Sequence, residues 1–266
     1  MNLDIYQVDA FTLAPFKGNP AGVCITEQPL NEALMFSIAQ EMAVSETAFL
    51  TLNDMKLRWF TPEIEVKLCG HGTLATTHVL VERGDLNVGE RVTFKTLSGP
   101  LSAKVVEDGI ELDFPQTNLL FDHKFNLPLI EALGIQPEEI ASYGEFDSKV
   151  FIQVNSESMV NALTPNFDAM KQLEGRGVVV TAQSEQQDLD FISRYFAPWV
   201  GVNEDPVTGS AHCALGQFWS QKLNKTTLKA YQASQRGGDI SVEVLPNQRI
   251  KLKGTAKTTI KGVMSV

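Results

Sequence analysis

The chain has 266 residues, 43% hydrophobic and 20% charged, with mean hydropathy −0.06; at about 150 residues per domain this is globular material for two domains or one large one. Its 22 Lys and Arg against 32 Asp and Glu leave a formal charge of −10, and so acidic a surface repels phosphate backbones and anionic lipid, arguing against nucleic-acid and membrane-surface roles. No apolar run approaches the ~20 residues of a membrane span, Met1-Asn2-Leu3-Asp4 carries no signal-peptide pattern, and the three cysteines (Cys24, Cys69, Cys213) form no C-x-x-C pair, so the expectation is a cytoplasmic protein with free thiols acting on small molecules.

In chain order, Leu3 to Val8 reads as a strand, and the turn residues Lys17-Gly18-Asn19-Pro20-Ala21-Gly22 lead into a second strand, Ala21 to Ile25. Leu30, Leu34, Ile38 and Met42 recur at spacing four and predict an amphipathic helix over Asn31 to Ala43. Strands follow at Glu46 to Leu52 and Leu57 to Phe60. Cys69-Gly70-His71-Gly72-Thr73 then opens a helix with its body over Leu74 to Glu82 and Gly84 as its stop. Strands dominate from Arg91 to Phe114, with a turn at Glu107-Asp108-Gly109, and Pro115 to Asn126 reads as a linker. Pro128 to Leu133, Pro137 to Ile140 and Phe167 to Leu173 are short helix candidates, and Gly177 to Thr181 is a buried strand.

The second half repeats the first. Phe151-Ile152-Gln153-Val154-Asn155 echoes Ile5-Tyr6-Gln7-Val8-Asp9, and Arg194-Tyr195-Phe196-Ala197-Pro198 matches Arg58-Trp59-Phe60-Thr61-Pro62. Each of the latter strings precedes a Gly-Thr or Gly-Ser pair, Gly72-Thr73 and Gly209-Ser210, that opens a helix, with one extra residue in the second copy. A repeat this long is no solenoid unit, whose periods run about 20–50 residues; it predicts two similar α+β lobes. A helix N-terminus has unpaired N–H groups and partial positive charge, so it binds carboxylate or phosphate. Two such termini across one cleft would flank a bound carbon with Cys69 and His71 on one side and Glu204 and Asp205 on the other. Cys69 falls opposite Asp205 or Pro206, depending on the register.

Gly18-Asn19-Pro20-Ala21-Gly22-Val23, Ser45-Glu46-Thr47-Ala48-Phe49, Arg58-x-Phe60-Thr61-Pro62 with Cys69-Gly70-His71-Gly72-Thr73, and the string from Glu204-Asp205-Pro206 to Ala211-His212-Cys213 occur in that order. With Asp113-Phe114-Pro115 and residues 232–238, they make nearly the whole chain resemble the PhzF-like phenazine-biosynthesis isomerase family. The resemblance implies a diaminopimelate-epimerase-like α+β fold of two similar pseudo-symmetric lobes, each a β-structure wrapped around a central helix. The first would span 1–115 with the C-terminal strand 256–266, the second 116–255, with the active site between them. It also implies a cofactor-independent isomerase that shifts a proton on a small cyclic or aromatic carboxylate, and a homodimer.

Carried over residue by residue, the family's acid/base carboxylate falls on Glu46, and His71 and Asp205 polarise or orient the substrate. Asn19, Gly70, Gly72, Thr73, Gly209 and Ser210 match its substrate-holding positions. A carboxyl that takes and returns a proton is helped by a pKa raised through burial, which the apolar sequence neighbours Val44 and Ala48 to Leu50 would supply to Glu46. Three other readings stand beside this one. Cys69, His71, His212 and Cys213 are zinc-type ligands, but neighbours on a helix point about 100° apart, so the expectation is no metal. Cys69 could be a racemase thiolate, although the expected partner thiol is missing from the Glu204–Ser210 loop. The chain could also bind a small molecule without chemistry. Cys24 and Cys213 read as core, and His78 and His123 as structural or solvated.

Overall fold

The computed structural model describes every residue except Asp122 and His123, so the reading of His123 lies outside the described residues. The chain opens with β1 (Asn2–Ala10), β2 (Asn19–Thr26), α1 (Glu32–Met42), β3 (Glu46–Thr51), β4 (Lys56–Phe60), β5 (Glu65–Val66) and α2 (Gly70–Arg83). A meander of β6 (Arg91–Thr96), β7 (Gly99–Val106) and β8 (Gly109–Pro115) follows. The second half begins with α3 (Leu127–Leu133), β9 (Ile140–Phe146), β10 (Lys149–Val154), α4 (Glu157–Ala162) and α5 (Phe167–Lys171). It continues through β11 (Val178–Gln183), β12 (Phe191–Ala197), β13 (Val202–Asp205) and α6 (Gly209–Leu223). The last elements are β14 (Thr227–Gln232), β15 (Gly238–Leu245), β16 (Arg249–Gly254) and β17 (Ala256–Ser265). The segment from Pro137, expected as a short helix, is one 3₁₀ turn that ends at Glu139, because Ile140 already extends into β9. Among the described residues no helix is long and apolar enough to cross a membrane.

The chain divides into two compact units, Met1–Phe114 with Lys251–Val266, and Pro115–Ile250. The return to the first unit comes at Lys251, within β16 and earlier than the boundary expected at Ala256. In the first unit β1 lies antiparallel to both β2 and β17, β2 runs parallel to β3, and β3 pairs antiparallel with β4. These strands and β7 pack around α2, nine of whose residues are buried. Threonine is tolerated at this depth because each hydroxyl bonds back one turn: Thr73 to Cys69 O (2.7 Å), Thr76 to Gly72 O (2.7 Å) and Thr77 to Thr73 O (2.9 Å). The opposite face of β3 and β4 carries Phe49 and Phe60, which are buried under Met35, Ile38 and Ala39 of α1. The residues that bound the predicted helix are its caps. Asn31 accepts from the Leu34 N–H (2.9 Å), and Ala43 turns left-handed.

The second unit repeats the order. β9 pairs antiparallel with β10, β10 runs parallel to β11, β11 is antiparallel to β12, and β12 is antiparallel to β13 and parallel to β14. α6 packs on β14 and β15, and α3, α4 and α5 contribute to a separate apolar cluster with β10 to β12. This order matches β10 with β2, so the likeness of Phe151–Asn155 to Ile5–Asp9 in β1 is a coincidence of sequence. The match of Arg58 with Arg194 is structural. Arg58 forks onto Glu65 (2.7 and 2.6 Å) and lies over Phe60. Arg194 forks onto Glu204 (2.7 and 3.0 Å) and lies over Phe196.

Arg194 also donates to Leu163 O (2.7 Å). Its pair with Glu204 is mostly covered, with side-chain exposures of 12% and 18%. Arg194→Ala is expected to lower unfolding stability in urea by about 2–3 kcal/mol, reduced from the fully buried case by the residual exposure. The double variant with Glu204→Ala should lose less than the two single losses combined, because no charge is stranded. Strict additivity would refute the coupling.

Candidate active site

Gly18 sits at φ +63°, where a side chain would strike Ala10 O. Only glycine turns the chain there into β2, and the turn delivers Asn19 as the first, fully buried strand residue. Ala21 pairs with Glu46 across the parallel β2–β3 ladder, and Ala48 pairs with Trp59 across β3–β4. Alternation along β3 therefore sends Thr47 and Phe49 toward α1, and Glu46 with Ala48 toward α2. The α2 N-terminus comes in at Cys69, whose sulfur accepts from the Gly72 N–H (3.3 Å) as the helix cap.

His71, at the second position of α2, gathers the cluster. Its Nε2 lies 3.2 Å from Glu46 Oε2 and 3.4 Å from Ser45 Oγ. Its Nδ1 lies 3.3 Å from Asn19 Nδ2 and 3.6 Å from Cys69 Sγ. The imidazole is 8% exposed and the Glu46 side chain 21%, so solvent reaches the pair from the carboxylate side. Burial alone would push the Glu46 carboxyl up, but the facing His71 and the Ser45 hydroxyl outweigh it and hold the pKa below the usual range. The expected upward shift is thus corrected. The apolar residues beside Glu46 in sequence alternate away from it or sit farther along the strand, and its spatial neighbours are polar. Burial likewise opposes charge on His71, yet its acidic neighbours hold its pKa well above 6.5. Burial pushes the Cys69 thiol up and keeps it protonated, so the anion that holds the imidazolium is Glu46.

The sign of the pH dependence follows. Glu46 is depressed, so its contribution is present above 4.5 and lost as pH falls through its folded value. His71 is raised, so its contribution is complete below 6.5 and lost as pH rises through its folded value. The melting-temperature gap between wild type and His71→Gln should be widest between those limits and shrink on both sides. A gap that is flat from acid to alkali would disprove the pair.

Two expected substrate-holding groups have neighbours of their own within the unit. Thr73 lies one turn inside α2, with its N–H and hydroxyl both given to Cys69 O (3.1 and 2.7 Å), so neither is left for a ligand. Gly72 is small because the Trp59 ring and the Cys69 sulfur occupy the space of a side chain. The groups without an intrahelical carbonyl are the N–H groups of Gly70 and His71 in the first turn. Ser45 and Cys69 complete the cluster. Sequence reasoning gave Ser45 no role, although it lies inside a motif it quoted, and weighed Cys69 only as a flanking group, a zinc-type ligand or a racemase thiolate.

In the second unit Asp205 ends β13, and its carboxylate accepts from the Thr208 hydroxyl (2.5 Å). Gln232 clamps this loop, donating to Asp205 O (2.6 Å) and accepting from the Thr208 N–H (2.9 Å). Thr208 is the N-cap of α6 and Gly209 its first residue, so Ser210 is not a cap. Its hydroxyl accepts instead from Lys149 Nζ (3.1 Å). Counted from the caps, Cys69 corresponds to Thr208, rather than to Asp205 or Pro206, and His71 to Ser210. His212 is pushed down to about 4 by burial, with its Nδ1 2.9 Å from Thr208 O, and Cys213 is pushed up to about 12 by burial. The grouping of donors that a metal could use is Glu46, Cys69 and His71, all within 4.8 Å of one another. His212 and Cys213 are not part of it. A metal ion bound by these three would displace the protons of Cys69 and His71.

The family model described as phenazine biosynthesis-like protein matches residues 8–262. An uncharacterized isomerase of Halalkalibacterium halodurans is 46% identical over 98% of both chains. The phenazine biosynthesis-like domain-containing protein of Homo sapiens is 40% identical over the full length of both. A crystal structure of a PhzF-family phenazine biosynthesis protein from Enterococcus faecalis superposes with TM-score 0.91 at 41% identity, covering both chains completely. A hydroxyproline epimerase from Agrobacterium vitis, at 12% identity and TM-score 0.60, shares the fold. The two-fold repeat of a strand structure around a central helix, found here in each unit, is that of the epimerase-like folds. By sequence and by fold, the chain belongs to the phenazine biosynthesis-like (PhzF) family.

Proposed function

We propose that the protein is a cofactor-independent isomerase that moves a proton on a small, cyclic or aromatic carboxylate, with Glu46 as the group that takes and returns it. The observation that carries this reading is the Glu46–His71 pair, 3.2 Å apart at the first turn of α2 and open to solvent on the carboxylate side. An ionised carboxylate accepts a proton from a substrate carbon, the electron pair left behind shifts into the adjoining π-system, and the protonated Glu46 delivers the proton at the far end. No net charge or electron is gained. A depressed pKa makes Glu46 the weaker base and the stronger acid, so delivery is the favoured half of the cycle. His71 positions the carboxylate. In its neutral form the Asn19 amide can donate to Nδ1, and in its charged form Nδ1–H faces the Cys69 sulfur, so the ring is satisfied in either state. Asp205, Gly209 and Ser210 serve as orienting and substrate-holding groups.

The epimerase-like fold and the isomerase names of the relatives support this class of reaction. The two-thiol racemase alternative loses support, because a threonine stands at the matching cap. The test is hydrogen exchange between solvent water and bound carboxylates. Dialysis against a chelator should leave both exchange and melting temperature unchanged. Activity lost on chelation and restored by zinc would overturn the cofactor-free part.

A further inference from the structure

We propose that Lys149, held by Ser210 at the N-terminus of α6, is an anion-binding residue that takes the carboxylate of the substrate. The inference rests on the isomerase reading only in naming the ligand as substrate. The site itself stands on the second unit alone.

Lys149 is the first residue of β10, on the same strand face as Phe151 and Gln153, which contact Phe218 and Lys222 of α6. It is 9% exposed. Its ammonium makes one hydrogen bond, to Ser210 Oγ (3.1 Å), and lies over the Phe146 ring. Among the described residues no carboxylate comes within salt-bridge distance; Asp147 and Asp205 act on it only through space, and the nearby Arg176 adds a second positive charge. A covered ammonium without a counter-ion is costly, and titratable groups in such settings cluster at functional sites.

The repeat sharpens the assignment. Gly22 pairs with Thr47 and Val150 with Val178, while Thr47 pairs with Phe60 and Val178 with Phe196. Lys149 therefore corresponds to Ala21, and Gly177 to Glu46, just as Ser210 corresponds to His71. In the first unit the Glu46 carboxylate meets the His71 imidazole; in the second Tyr195 fills the space of a side chain at Gly177, and the ammonium of Lys149, on the neighbouring strand, meets the Ser210 hydroxyl. The first helix end is equipped to move a proton, the second to hold an anion.

The experiment follows the Lys149 side-chain signal by NMR in full-length protein labelled at lysine, titrated with benzoate, with benzamide and with inorganic phosphate. Expected are a saturable shift with benzoate, none with benzamide, and binding weakened about tenfold or more in Lys149→Met. Lys149→Arg should keep it. Lys149→Met should also melt higher than wild type, because an unpaired covered charge is gone; a merely structural lysine would melt lower. No benzoate-dependent shift, equal shifts with benzamide, or tighter binding of phosphate than of benzoate would each overturn the assignment. Glu46→Gln separates the two readings. If it exchanges substrate protons like wild type, the proton-shuttle reading fails while the Lys149 shift stands. If it is inactive and the Lys149 shift is absent, only the anion site fails.

Discussion

Glu46→Gln is expected to fold and bind carboxylates like wild type while proton exchange falls by ~10²–10⁴-fold, the usual worth of a general acid/base. Glutamine keeps the size of the side chain and can still meet His71 and Ser45, but it cannot carry the proton. Deuterium uptake from heavy water into a bound carboxylate measures the loss directly. Cys69→Ala is expected to be far milder, since the buried thiol stays protonated and its structural part is one bond from the Gly72 N–H at 3.3 Å. The opposite ranking would transfer the proton step to the cysteine and restore the racemase reading.

Trp219→Ala carries the largest expected loss of stability, about 3–5 kcal/mol for a buried aromatic truncated to a methyl group. Trp219 is fully buried in α6, stacks on Phe191 at 5.7 Å and donates its indole N–H to the Thr181 hydroxyl (3.0 Å). Its removal opens a cavity and deprives that hydroxyl of its indole donor. Urea unfolding followed by circular dichroism reads the change. A loss below about 1 kcal/mol would mean that the site collapses around the methyl, against the rigid packing expected of protein interiors.

The helices and strands of the first half were legible because their signals are local. Leu34, Ile38 and Met42 of the spacing-four pattern lie in α1, and Gly84 ends α2 as predicted. The start of α2 was less legible. Its cap is a cysteine, an uncommon choice that propensity does not flag, so Gly72-Thr73 drew attention that belongs to Cys69-Gly70. The surroundings of Glu46 were not legible, since the side chains that set its pKa arrive from β2 and from the first turn of α2. Neighbours in a strand point to alternate faces, and sequence proximity misled on the sign. Lys149 went unnoticed for the same reason: nothing beside it in sequence indicates that Ser210 will meet it. The repeat was found at Arg58 and Arg194, where a fork onto a carboxylate constrains both copies, and misaligned at Phe151–Asn155, where apolar alternation is common to any strand.

The pairing of β1 with β17 along their whole length, reinforced where the Val266 N–H meets Met1 O (2.8 Å), has a consequence for synthesis. A ribosome makes the chain from its amino end, so β1, β2, β3 and α2 emerge early but wait for β17, made after the whole second unit, to close their sheet. The second unit, interrupting the first, is finished at Ile250 and can fold while the first still lacks an edge. During that interval the unpaired side of β1 is exposed to other chains, and its pairing with β17 is among the longest-range contacts of the fold, the kind that forms slowly.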